Sequence, residues 1–78
     1  MPVKPQQRRE YRAICKSLVE WRERAGLSQR KLSIKLGRPI TFASKVESRE
    51  RRIDPAELAD WARACGVGQA DVLRALGL

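Results

Sequence analysis

Apolar residues recur along this chain at three- and four-residue spacing, the period of helices that lie half in a core. Tyr11, Ile14, Cys15, Leu18, Trp21 and Ala25 form one such stripe, with Arg8, Arg9, Arg12, Lys16, Glu20 and Glu23 on the opposite side. This predicts a first helix from about Gln7 to Ala25, ended by Gly26, with Leu27 over the core beneath the turn. Leu32 and Leu36 fall one turn apart, and Ser28 before them can accept from the free N–H groups of a helical first turn. Gly37 stops this second helix, because glycine enters the left-handed region without a steric penalty. Pro39 suits the first position of a third helix, where its missing N–H is not needed. That helix is expected from about Ile40 to Ser48, with Ala43 and Val46 facing inward.

The second half continues the pattern. Asp54-Pro55-Ala56-Glu57 is a strong helix start, with Asp54 as N-cap, Pro55 at the first helical position and Glu57 reaching back to the cap. A fourth helix follows from Pro55 to Cys65, burying Leu58, Trp61, Ala62 and Cys65, and Gly66 closes it. Gly68 precedes a short fifth helix, about Gln69 to Leu76, with Val72, Leu73 and Leu76 apolar. Nothing alternates as a strand would, and there is no internal repeat or low-complexity run. The expectation is an all-α domain of five helices over residues 7–78. Residues 1–6, which begin MPVKP, should form a flexible arm, since two prolines and a lysine bury little.

Charge adds direction to this scaffold. The chain has 78 residues, a net charge of +8 and a pI of about 10.5, which favours an anionic partner. The excess is uneven: residues 1–28 carry net +4, residues 29–52 net +6, and residues 53–78 net −2. The most positive stretch coincides with the two short helices and glycine turn of residues 28–48 and the basic loop Arg49 to Arg52. A helix, a tight turn and a second basic helix can set that second helix in the major groove of double-stranded DNA. Arg38 in the turn, and Arg49, Arg51 and Arg52 after the third helix, are candidates for backbone phosphates, which add affinity and salt dependence but little specificity.

Other classes fit poorly. The chain has no histidine, its carboxylates are dispersed along helix surfaces, and no glycine-rich phosphate loop is present. No enzyme activity, metal or cofactor is therefore expected. The two cysteines lack the close spacing of a zinc site or disulfide framework, so both are expected as free, packed thiols in a reducing cytoplasm. No apolar run approaches the roughly 20 residues of a membrane span, and MPVKPQQRREYR has no apolar core of a secretory signal.

Four segments carry a family likeness: WRERAGLSQRKL (21–32), KLG (35–37), SKVESRERR (44–52) and LADWARACGV (58–67). From about Leu18 to Val67 the chain resembles the phage-repressor-like (Xre/Cro) helix-turn-helix transcriptional regulators, with their five-helix, lambda-repressor-like domain. The resemblance implies a sequence-specific DNA-binding regulator, a repressor or autoregulator. It would act as a homodimer, through the C-terminal helices, on a pseudo-palindromic operator. It implies that Gln29 contacts a phosphate at the start of the second helix, with Arg30 beside it, where helix N–H groups also favour an anion. Bases would be read by Ile40, Thr41, Ser44 and Lys45. Lys45 can donate to guanine O6 and N7, and the methyls of Ile40 and Thr41 can meet a thymine methyl. Arg22 and Glu47 hold the positions of an ion pair that braces the third helix on the first.

The chain departs from the family at two places. Many relatives have glutamine where this chain has Ile40, a residue that could instead fold onto its own domain. Relatives often have glycine where it has Arg49, which in a left-handed backbone would cost about 1 kcal/mol or more. Phe42, next to Ala43, is expected at the edge of the core rather than in DNA. A second function stays open: an antitoxin-like or adaptor module, with secondary DNA binding, whose acidic C-terminal segment with Val72, Leu73, Leu76 and Leu78 meets a protein partner.

Overall fold

The computed structural model describes residues 8–78, so the expected arm over residues 1–6 lies outside the described residues. Five helices follow in order: α1 (Arg9–Arg24), α2 (Gln29–Lys35), α3 (Phe42–Glu47), α4 (Pro55–Ala64) and α5 (Gln69–Ala75). No strand occurs among the described residues. The protein is all-α.

Most of the α1 stripe is buried as its spacing implies; Ile14 is half-buried, and Ala25 is exposed because the helix ends at Arg24 and Ala25 already belongs to the turn. Tyr11, Cys15, Leu18 and Trp21 are buried and form the floor of the core. Leu32 of α2, Phe42, Ala43 and Val46 of α3, and Leu58, Trp61 and Ala62 of α4 pack onto them, together with Ile53 from the loop. Two buried aromatic side chains also carry polar ties between distant segments. Trp61 Nε1 donates to the Leu18 carbonyl at 3.1 Å, joining α4 to α1. The Tyr11 hydroxyl accepts from the Ile53 N–H at 2.9 Å, fixing the loop before α4. Both tips have partners, so these rings bury their area without stranding a polar group.

Local chemistry sets the helix ends. Ser28 Oγ accepts from the Lys31 N–H at 3.0 Å. Asp54 Oδ1 accepts from the Glu57 N–H at 2.8 Å, and Glu57 Oε1 accepts from the Asp54 N–H at 3.1 Å, a complete capping box with Pro55 in the first turn. Lys35 Nζ donates to the Ala64 carbonyl at 2.8 Å, placing a cation on the last turn of α4. At the end of α2, Gly37 has φ +68, and the Arg38 N–H reaches back to the Ser33 carbonyl at 3.0 Å. This is the reversal that turns the chain toward α3.

The third helix differs from expectation. It begins at Phe42, not near Ile40, and Pro39 is not its first residue. The Phe42 N–H donates to the Pro39 carbonyl at 2.9 Å, so residues 39–42 form a turn that leads into the helix. Proline's fixed φ suits a turn as well as a first helical turn, and here the turn wins. The other boundaries shift by smaller amounts: α3 stops at Glu47, α4 at Ala64 and α5 at Ala75. Cys65 and Val72 are half-buried, whereas Leu73, Leu76 and Leu78 are exposed. Cys15 and Cys65 are free thiols, and burial pushes both up from the ordinary thiol pKa.

Candidate nucleic-acid interface

The start of α3 divides sharply between two environments. Phe42, Ala43 and Val46 face the core. Ile40 and Thr41, in the turn that leads into α3, and Lys45 on the helix are exposed, and Ser44 is half-buried, so the four residues expected to read bases lie within one turn-and-helix segment. Ile40 is 50% exposed and is not folded onto its own domain. Ser44 Oγ donates to the Thr41 carbonyl at 2.9 Å, which steadies the turn that carries them. Arg30, Lys31, Lys45, Arg49 and Arg52 have no carboxylate partner among the described residues. Their charge remains available to an outside anion.

A polar knot holds α3 from behind. Arg22 Nε donates to Glu47 Oε2 at 2.6 Å, and Nη2 donates to Oε1 at 3.1 Å. The third nitrogen, Nη1, donates to the Leu27 carbonyl at 2.8 Å. All three guanidinium nitrogens are thus used, in the fork geometry that arginine offers a carboxylate. The hydrogen bond to Glu47 raises the Arg22 pKa further, against the opposing effect of burial. Gln29 Nε2 also donates to Glu47 Oε1, at 2.8 Å. The amide that the resemblance assigns to a phosphate thus already has an acceptor within the protein. In the protein alone that amide is turned to Glu47, because a carboxylate is a stronger acceptor than water for a half-buried donor.

A second cluster lies on the other side of α3. Glu57 is only 5% exposed, yet it is a carboxylate. Arg51 meets it with a two-pronged contact, Nη1 to Oε1 and Nη2 to Oε2, each at 2.9 Å. Arg38 Nη2 lies 2.7 Å from Oε2. The guanidinium carbons of Arg38 and Arg51 stand 5.1 and 5.0 Å from the centroid of the buried Phe42 ring. Hydrogen bonding from Arg51 holds the Glu57 carboxyl below the ordinary range, against burial, with help from the Asp54 N–H and the nearby charge of Arg38. Arg38 and Arg51 are therefore not the free cations their positions suggest. The helix-start pattern around Glu57 gives no sign that it also collects two arginines from across the motif.

Ser33 helps to position α3, and the sequence pattern does not single it out. Its hydroxyl is fully buried, donates to the Gln29 carbonyl at 2.8 Å and accepts from the Ala43 N–H at 2.9 Å. One side-chain oxygen thereby satisfies an otherwise orphaned amide in the first turn of α3 and ties it to α2. The available signal is a small hydroxyl beside Leu32, one turn after Gln29. Arg49 has φ +66, the left-handed backbone that glycine favours, and the Glu50 N–H reaches the Lys45 carbonyl at 3.0 Å around it.

Among the described residues no group of His, Cys, Asp and Glu could hold a metal ion, and no helix is long and apolar enough to cross a membrane. A search of curated protein sequences gives no match. The family described as "Helix-turn-helix domain" matches residues 17–76. Among solved structures, an XRE-family like protein from Pseudomonas syringae pv. tomato str. DC3000 superimposes with a TM-score of 0.80 and 40% sequence identity, covering 87% of this chain and 83% of that one. With residues 17–76 matched and a fold shared at this identity, the chain belongs to the Xre-type helix-turn-helix family and is a DNA-binding regulator.

Proposed function

We propose that this protein recognises a specific double-stranded DNA sequence by setting the start of α3 into the major groove. The reading rests on one observation: Ile40 and Thr41 in the turn before α3, and Ser44 and Lys45 on it, stay exposed or half-buried, while Phe42, Ala43 and Val46 are buried and α3 is tied to α1 and α2. Lys45 donates to guanine. Thr41 and Ser44 contact bases or phosphates. Ile40 offers only an apolar surface, so it favours a thymine methyl over the adenine edge that glutamine would read. Arg30, Arg49 and Arg52 neutralise phosphates, and Arg38 and Arg51 do so with the part of each guanidinium that stays exposed.

The same reading makes the protein a repressor or autoregulator acting in the cytoplasm as a homodimer. Exposed Leu73, Leu76 and Leu78 support a subunit contact through the C-terminal helices. Selection of bound sites from a random duplex pool tests the proposal. It predicts two half-sites related by two-fold symmetry, about 34–36 Å apart or a multiple of that. A pool that shows no enrichment would overturn it.

A second reading is favoured by the same leucines, which lie in the segment of net negative charge. As an antitoxin-like or adaptor module, the protein would use α4 and α5 to bind another protein, with DNA contact secondary. Light scattering on purified protein separates the two. A dimer that persists without other components supports the operator-binding dimer, and a monomer that dimerises neither alone nor on DNA counts against it.

A further inference from the structure

We infer that Glu57 is a positioning residue for DNA binding: an acidic side chain that raises affinity for a polyanion by orienting Arg38 and Arg51. The inference rests on the reading that these two arginines meet phosphates. Its geometric basis is independent of that reading. Arg38 comes from the turn after α2, Phe42 opens α3, Arg51 comes from the loop after α3, and Glu57 lies in the first turn of α4. One buried carboxylate thus holds arginines from both flanks of the reading helix, and both rest on that helix's first side chain.

The exposure pattern makes the arrangement usable. Glu57 is hidden, while the Arg38 and Arg51 side chains are each 40% exposed. Arg38 spends one nitrogen on Glu57. Arg51 spends both terminal nitrogens on the carboxylate, and Nη1 also donates to the Arg52 carbonyl at 2.7 Å. The Nε atoms of both side chains, and Nη1 of Arg38, have no acceptor among the described residues. Two cations against one carboxylate leave a net positive charge facing outward. Free arginine side chains must be ordered when they grip a phosphate. Here the carboxylate and the Phe42 ring hold them in place beforehand, so less conformational freedom is given up on binding.

The test sets two expectations against each other. Removing an acidic residue raises the net charge and should tighten DNA binding through the long-range field. Positioning predicts the opposite. In Glu57→Gln the side-chain oxygen can still accept from the Asp54 N–H, so the helix start is kept, while the charge that gathers the arginines is gone. Binding of the selected duplex should weaken, roughly tenfold at 0.1 M salt for each phosphate that an arginine no longer grips. The slope of log K against log salt should become shallower by about one per such phosphate.

In an Arg38→Gln/Arg51→Gln background, Glu57→Gln should weaken binding no further. Circular dichroism confirms that each variant is folded. If Glu57→Gln binds as tightly as the parent or tighter, or weakens binding equally without the arginines, the positioning role is overturned. If the double arginine variant keeps the full salt slope, the phosphate reading of those arginines fails first. Should Glu57→Gln unfold, the wild-type protein answers the question. The guanidinium ¹⁵N resonances of Arg38 and Arg51 should show restricted rotation before DNA is added and shift on adding the duplex. Freely rotating groups in the unbound protein would overturn the inference.

Discussion

The Oγ of Ser33 accepts the N–H of Ala43 at 2.9 Å, so a single buried hydroxyl joins the two helices of the DNA-binding motif. The same oxygen donates to the Gln29 carbonyl, which fixes its rotamer. Packing alone would let α3 slide or rotate on α2. A hydrogen bond to one defined amide limits both.

Ser33→Ala should therefore destabilise the domain more than the removal of one small side chain suggests. It leaves the buried Ala43 N–H without a partner, which costs about 1–3 kcal/mol. In a domain of this size each kcal/mol lowers the thermal midpoint by roughly 4–8 °C. A thermal melt or urea titration measures this, and an unchanged midpoint would mean the tie contributes nothing.

The Arg22–Glu47 pair has largely buried side chains, 12% and 7% exposed. Glu47→Ala strands a guanidinium and should cost about 3–5 kcal/mol. The double variant Arg22→Met/Glu47→Leu should recover most of that stability, because buried ion pairs contribute more to orientation than to net stability. It should not recover DNA affinity. Equal recovery of both would show that the pair only fills space.

Arg49 separates stability from binding. With φ +66 it occupies a backbone that penalises a Cβ. Arg49→Gly should stabilise the fold by about 0.5–1 kcal/mol, the relief of that strain less the extra freedom glycine has when unfolded. The same change removes a cation beside the proposed interface, so the salt slope of DNA binding should fall by about one. Denaturation and binding measured on one preparation test both halves.

Acid should weaken the fold partly through Glu57. Its folded pKa is lowered, chiefly by the Arg51 hydrogen bond, so folding favours the ionised form. That contribution is present in full above the ordinary carboxylate value of about 4.3 and is lost as the pH falls through the lowered folded value. Urea midpoints measured from pH 6 to pH 2 should show a shallower acid decline in Glu57→Gln than in the parent. Superimposable declines would exclude Glu57 as a source.

Much of the fold is legible in the residue pattern because helix periodicity and caps are local. The stripe from Tyr11 to Trp21, the Ser28 cap and the Asp54–Glu57 box each depend on residues within a few turns of one another. What the pattern does not reveal depends on partners distant in sequence. Pro39 reads as a helix start because its φ serves two conformations, and the choice between them depends on how α2 and α3 pack. Arg38 and Arg51 read as free phosphate ligands because nothing near them in sequence shows that Glu57 arrives between them. The family resemblance makes Gln29 a phosphate ligand, and nothing near it in sequence shows that its amide meets Glu47, eighteen residues on. Polar side chains with several possible acceptors are the ones a one-dimensional pattern describes least well.

The proposed function makes α3 a braced reading head. Fluorescence anisotropy, with the selected duplex and a scrambled duplex of equal length over a range of salt, tests it most directly. Both duplexes should show steep and nearly parallel salt dependence, since the phosphate contacts are common to them. The selected duplex should bind about a thousandfold tighter or more at each salt concentration. Equal affinity for the two at every salt concentration would contradict the claim and leave only a basic surface.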